Sequence, residues 1–134
     1  MEYNSRMKEF ENNAYFWQKV DTLYNFGDLK ITRKKGTAHD RYPALIYPFD
    51  YGVIRTLDSD EVSMEVFRGN KGKRIDALVV CVDILMKRFE VKALLGLDEE
   101  EQEEVLRFLN ETDFQKTLIV RRGRDIPAWA ATKE

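Results

Sequence analysis

Three short segments carry residue types whose spacing can do chemistry. The first is Asp58-Ser59-Asp60-Glu61-Val62-Ser63-Met64-Glu65. Carboxylates two residues apart on an extended loop turn their oxygens into one space, where they can share a hard divalent cation. The same composition is also ordinary for a solvated acidic loop. The second is Tyr47-Pro48-Phe49-Asp50-Tyr51-Gly52, whose tyrosines can donate hydroxyl hydrogen bonds to phosphate oxygens or simply pack as core aromatics. The third is Glu90-Val91-Lys92. On a strand, residues two apart share a face, so Glu90 and Lys92 form either half of a metal–phosphate site or a plain ion pair, the commoner role.

The elements that must position these groups are legible from periodicity. Tyr15 to Tyr24 places Phe16, Val20, Leu23 and Tyr24 at helical spacing, predicting a short helix with an aromatic anchor. Residues 28–33 alternate as a half-exposed strand does, Lys34 to His39 form a basic turn, and Tyr42-Pro43 and Tyr47-Pro48 keep 40–50 extended but irregular. Strands are predicted over 53–55, 64–67, 75–85 and 89–95, with a hairpin at Met86-Lys87-Arg88 and a last strand at 117–120. Asp98 with Glu101 three residues on is a capping box, and Gln102, Val105, Leu106 and Leu109 share one face, which predicts a helix over about 98–111.

Composition bounds the rest. The 134 residues fit one domain, with 1–12 and 124–134 peripheral to it, and 43% hydrophobic residues suffice for a core. A net charge of -2 gives no overall attraction to nucleic acid. Basic clusters at Arg33-Lys34-Lys35 and Lys71 to Arg74 leave single-stranded nucleic acid as a minor alternative for a barrel with stacking aromatics. The single cysteine, Cys81, sits inside Leu78 to Val82 and reads as an inert core thiol. The N-terminus has no signal-peptide pattern, and the longest apolar run, Ala77 to Val82, is far too short for a bilayer. A cytoplasmic address is therefore expected. His39 reads as a solvated turn residue or a phosphate contact. The sequence leaves the choice between a monomer and a homo-oligomer open.

Taken in order, the three segments resemble the soluble, barrel-forming (family I) inorganic pyrophosphatases, in a short bacterial variant. That family carries Tyr-Pro-x-Asn-Tyr-Gly-Tyr, then Asp-Gly-Asp-Pro-x-Asp, then Asp-x-Lys on a later strand. The resemblance spans roughly residues 16–96. It implies a mainly β fold with α: an OB-like closed barrel of about five strands, with a short N-terminal helix and a C-terminal amphipathic helix. It also implies Mg²⁺-assisted hydrolysis of pyrophosphate. Matched by position, Asp58, Asp60, Glu65 and Glu90 would hold metal. Asp60 and Tyr51 would stand at the reacting centre. Arg41, Lys34, Lys92, Tyr51 and Arg88 would contact phosphate. The departures are specific: Ser63 stands where the third acid of the loop belongs unless the register shifts to Glu65, Arg88 stands where a further acid is expected, and Val53 replaces a tyrosine. The expected alternative is a degenerate, non-catalytic relative that binds phosphate, a nucleotide or a protein partner.

Overall fold

The computed structural model describes residues 14–123. Helix α1 (Ala14–Asn25) is followed by strands β1 (Gly27–Arg33), β2 (Asp50–Thr56), β3 (Val62–Arg68), β4 (Ile75–Asp83) and β5 (Arg88–Leu95). Helix α2 (Glu99–Leu109) and strand β6 (Gln115–Arg121) complete the chain. The predicted tail at Pro127-Ala128-Trp129 lies outside the described residues.

The strands form one six-stranded sheet in the order β1-β2-β3-β5-β4-β6, antiparallel except for the β3–β5 pair. Burial in β4 alternates residue by residue, with Ala77, Val79 and Cys81 fully buried, because successive side chains on a strand point to opposite faces even though Ala77 to Val82 is apolar throughout. The hairpin between β4 and β5 is set by Asp83, whose carboxylate accepts from the backbone N–H groups of Leu85 at 3.0 Å and Met86 at 2.9 Å. Arg88 is therefore the first residue of β5 rather than part of the turn.

The five-stranded closed barrel is corrected by this pairing. Among the described residues β1 pairs only with β2, and β6 pairs with β4 along its outer flank. The sixth strand occupies the flank where a partner closing the barrel would have to lie, so the sheet stays open with β1 and β6 as its edges.

The two helices cover opposite faces. On one, α2 packs Val105 and Leu109 against Phe67, Val79, Cys81 and Leu94. Its N-terminus is closed by the expected capping box, with Asp98 and Glu101 each accepting the other's backbone N–H. On the other face, α1 packs Trp17 and Val20 against Ile54, Val66, Ile75 and Ala93. The buried stripe of α1 is Trp17, Val20 and Asp21, while Phe16 and Leu23 are exposed, a rotation of the predicted face. Asp21 is buried because it accepts from Arg122 at 2.5 Å. That pair links elements 101 residues apart.

Gly52 is where β1 and β2 approach most closely. A Cβ there would stand 2.1 Å from the Lys30 carbonyl oxygen and 2.8 Å from the Ile31 Cα. Both are backbone atoms that cannot rotate away. Gly52→Ala is expected to lower stability by about 3 kcal/mol, read as an earlier midpoint in urea denaturation. A loss well under about 1 kcal/mol would mean that the strands part more easily than their packing implies.

Candidate functional site

A cleft of about 320 Å³ opens on the α2 side of the sheet. Its floor comes from three adjacent strands, where period-two alternation turns Tyr51 of β2, Glu65 of β3, and Glu90 and Lys92 of β5 to one face. The parallel register pairs Glu65 directly with Lys92. Loop residues 39–47 and the far end of α2 form the walls.

Lys92 is the hub. Its side chain is 7% exposed, and its ammonium donates to the Tyr51 hydroxyl at 2.8 Å, to Glu90 Oε1 at 3.0 Å and to Glu65 Oε1. An ammonium has three N–H donors, so all three are used. The Tyr51 hydroxyl in turn donates to Glu65, which commits both its proton and its acceptor. Arg88 donates through Nε at 2.8 Å and one Nη at 2.6 Å to Glu90 Oε2.

The electrostatics follow from these contacts. Burial opposes the Lys92 charge, but Tyr51 and Glu65 outweigh it and push its pKa up. Burial pushes the Tyr51 phenol well above its ordinary value, so the hydroxyl stays neutral. Burial would also raise Glu90, yet Lys92 and Arg88 hold it below the usual carboxylate range. A carboxylate held low in the folded state contributes stability that is present above its unfolded pKa and lost as pH falls through the folded one. The melting temperature is expected to fall on acidification below about pH 4.3, the ordinary glutamate value. Glu90→Gln should flatten part of that fall in thermal melts recorded between pH 3 and 6. An unchanged slope would count against the Glu90–Lys92 pairing.

Aromatic rings hold the walls. Tyr42 stacks on Phe114 at 5.2 Å between centroids, His39 lies parallel to Tyr47 at 6.0 Å, and Tyr47 meets Phe108 at 5.1 Å. His39 is half-buried rather than a solvated turn residue, and its Nδ1 accepts the Arg41 backbone N–H at 3.1 Å. Phe108 and Phe114 were not singled out from the sequence. Phe108 lies off the Gln102–Val105–Leu109 stripe of α2, and an aromatic on the otherwise polar side of that helix was the available clue.

The structure thus brings Tyr51, Glu65, Glu90, Lys92, Arg88 and Arg41 to one cleft. It does not bring Asp58, Asp60 or Lys34 there. Asp58 and Asp60 sit on the exposed β2–β3 turn, and Asp60 faces Arg55 at 3.6 Å. Asp60 adopts φ 61° at that turn. Lys34 is exposed in the basic turn, where its carbonyl accepts from Thr37. Ser63 donates to the Ile54 carbonyl at 3.1 Å and shares a shallow neighbouring groove with Glu65, Arg88 and Glu90. Glu65, not Ser63, therefore stands in the cleft. Cys81 is a buried free thiol whose pKa is raised by burial.

Several Mg²⁺ ions close together need a cluster of carboxylate oxygens not already neutralised. Here the two acids of the floor are both bonded to Lys92, and the two aspartates of the loop are outside the cleft. Among the described residues no three acidic, histidine or cysteine side chains are grouped to hold a metal. The residues present do not fit the metal cluster that the resemblance implies.

In comparisons with known proteins, no family model matches this chain and no curated protein matches it significantly. Among the described residues no helix is long and apolar enough to cross a membrane.

Proposed function

We propose that this is an inorganic-pyrophosphatase-like protein whose cleft binds pyrophosphate or another phosphate-bearing small molecule directly through arginine. Metal-assisted hydrolysis is slow or lost. The observation that carries the reading is a pair of arginines, Arg41 and Arg88, at a cleft whose floor carboxylates are already paired. Arg41 is exposed at the mouth and makes no ion pair among the described residues. Arg88 uses Nε and one Nη on Glu90, leaving its other Nη for an anion. Guanidinium groups grip phosphate oxygens by paired, charge-assisted hydrogen bonds.

The carboxylates around the cleft do not leave it strongly acidic. Glu65 and Glu90 are bound to Lys92, Asp40 to Arg33, and Asp83 to the turn amides. Lys92 offsets one of the two floor carboxylates and Arg88 pairs with Glu90, and Lys92 and Tyr51 act here by holding the floor in shape, since their donors are already committed. In this role they position the arginines rather than touch the ligand.

The test is phosphate release from pyrophosphate in excess Mg²⁺, with Asp58→Asn as the comparison. Turnover far below the roughly 10 per second typical of enzymes, and unchanged by Asp58→Asn, is the expected result. Ordinary turnover that Asp58→Asn abolishes would restore the metal-dependent enzyme. For binding itself, Arg41→Ala is expected to weaken pyrophosphate affinity by about tenfold or more, the worth of a charge-assisted hydrogen bond.

A further inference from the structure

Among the described residues, the face of the sheet opposite the cleft is covered by α1 at one end only. At the other end three adjacent strands present a grid of side chains. Val82 lies between Phe89 and Lys116, Val80 between Val91 and Leu118, and Val120 lies beside Leu78, where the end covered by α1 begins with the buried Ala93. Lys116 is the one polar residue on this uncovered end. Phe89 is 73% exposed, Leu118 75%, Val91 49%, Val82 42% and Val120 38%. The one cation is drawn off the face, since the Lys116 ammonium donates to the carbonyls of Asn110 at 3.3 Å and Thr112 at 3.2 Å.

We infer that this β5–β4–β6 face is the interface of a homodimer, in which the same face of a second copy packs on it as sheet on sheet. The exposed side chains offer apolar surface on the order of 500 Å² per copy. That is at the upper end of what a monomer exposes, and doubled it reaches about the 1,000 Å² at which a specific interface begins. The shape selects the occupant. The grid is three strands wide, about 10 Å between its outer strands. One extended segment would cover a single strip of it, whereas a second sheet face covers all three strands at about 10 Å separation. The net charge of -2 gives little repulsion between copies, and the face carries no carboxylate to desolvate. The arrangement is isologous, so Leu118 and Val91 of each copy fall near the centre. The cleft, on the other face, stays open.

Sedimentation velocity of the full chain between about 1 and 100 μM is expected to show a dimer, this being the range of ordinary micromolar association. Leu118→Glu combined with Val91→Glu should raise the dimer dissociation constant by about 30-fold or more, as for central interface residues. Leu57→Glu, at a position 74% exposed on the β2–β3 turn and off this face, should change nothing. Leu118→Lys alone is a second variant, and thermal melts of every variant establish folding. A monomer at all concentrations would overturn the proposal and leave the face to another segment or partner. So would a dimer that a folded Leu118→Glu/Val91→Glu variant leaves intact.

Discussion

Lys92→Met is expected to cost about 3 kcal/mol of stability and to abolish pyrophosphate binding. The side chain is replaced by one of similar length, so packing changes little. What changes is charge: Glu65 and Glu90 lose the cation between them, and the Tyr51 hydroxyl loses a donor. Glu65 and Glu90 side chains are only 30% and 16% exposed, so water compensates incompletely. Two neighbouring partly buried carboxylates then repel, and protonating one of them relieves the repulsion. The sign of the pH dependence follows. A folded state relieved by protonation gains stability as protons bind, so the deficit of the variant should shrink as pH falls from 7 toward 5. Urea denaturation at both pH values measures it. A deficit that stays constant or grows on acidification would show that Lys92 supports the fold through packing alone. Loss of binding with a normal denaturation midpoint would instead make Lys92 a direct ligand contact.

The second large effect is a gain. Ser63→Asp with Arg88→Asp is expected to raise Mg²⁺ affinity by about tenfold or more, because carboxylate count sets affinity for hard cations. Positions 63, 65, 88 and 90 share one groove, so the change would gather four carboxylates there. It also releases Glu90 from its two hydrogen bonds with Arg88. Without metal the double variant should be less stable than the unaltered chain, through like-charge repulsion. With about 10 mM Mg²⁺ and millimolar affinity, linkage returns about 1.4 kcal/mol, or a melting shift of about 3–6 °C for a domain of this size. The unaltered chain should show no such shift between Mg²⁺ and chelator. An equal shift in both proteins would mean that the cleft already holds metal.

Most of the strands were legible because the alternation in β1, the apolar run in β4 and the capping box at Asp98 are local signals. The failures came where distant elements meet. Closure of the barrel depends on which flank of β4 receives β6, and nothing within residues 115–121 encodes that choice. The rotated face of α1 has the same origin. Asp21 lies off the predicted stripe, and its bond to Arg122, 101 residues on, helps make it part of the core. In the cleft, Glu90 and Lys92 were legible from two-residue periodicity, whereas Tyr51 and Glu65 were placed there by motif order, Glu65 through the shifted register. Asp58 and Asp60 were assigned by motif order, but the turn that carries them ends short of the floor. The aromatic wall was missed because Phe108 and Phe114 reach the cleft only through the packing of α2 and the start of β6.

The central claim is that the cleft grips phosphate by arginine without a metal, and calorimetric titration of the full chain with pyrophosphate in chelator tests it most directly. The expected result is saturable binding that persists without divalent ions, is little changed by adding Mg²⁺, and weakens by about tenfold or more in Arg41→Ala and in Arg88→Ala. No binding in chelator, with binding restored by Mg²⁺ and lost in Asp58→Asn, would contradict it.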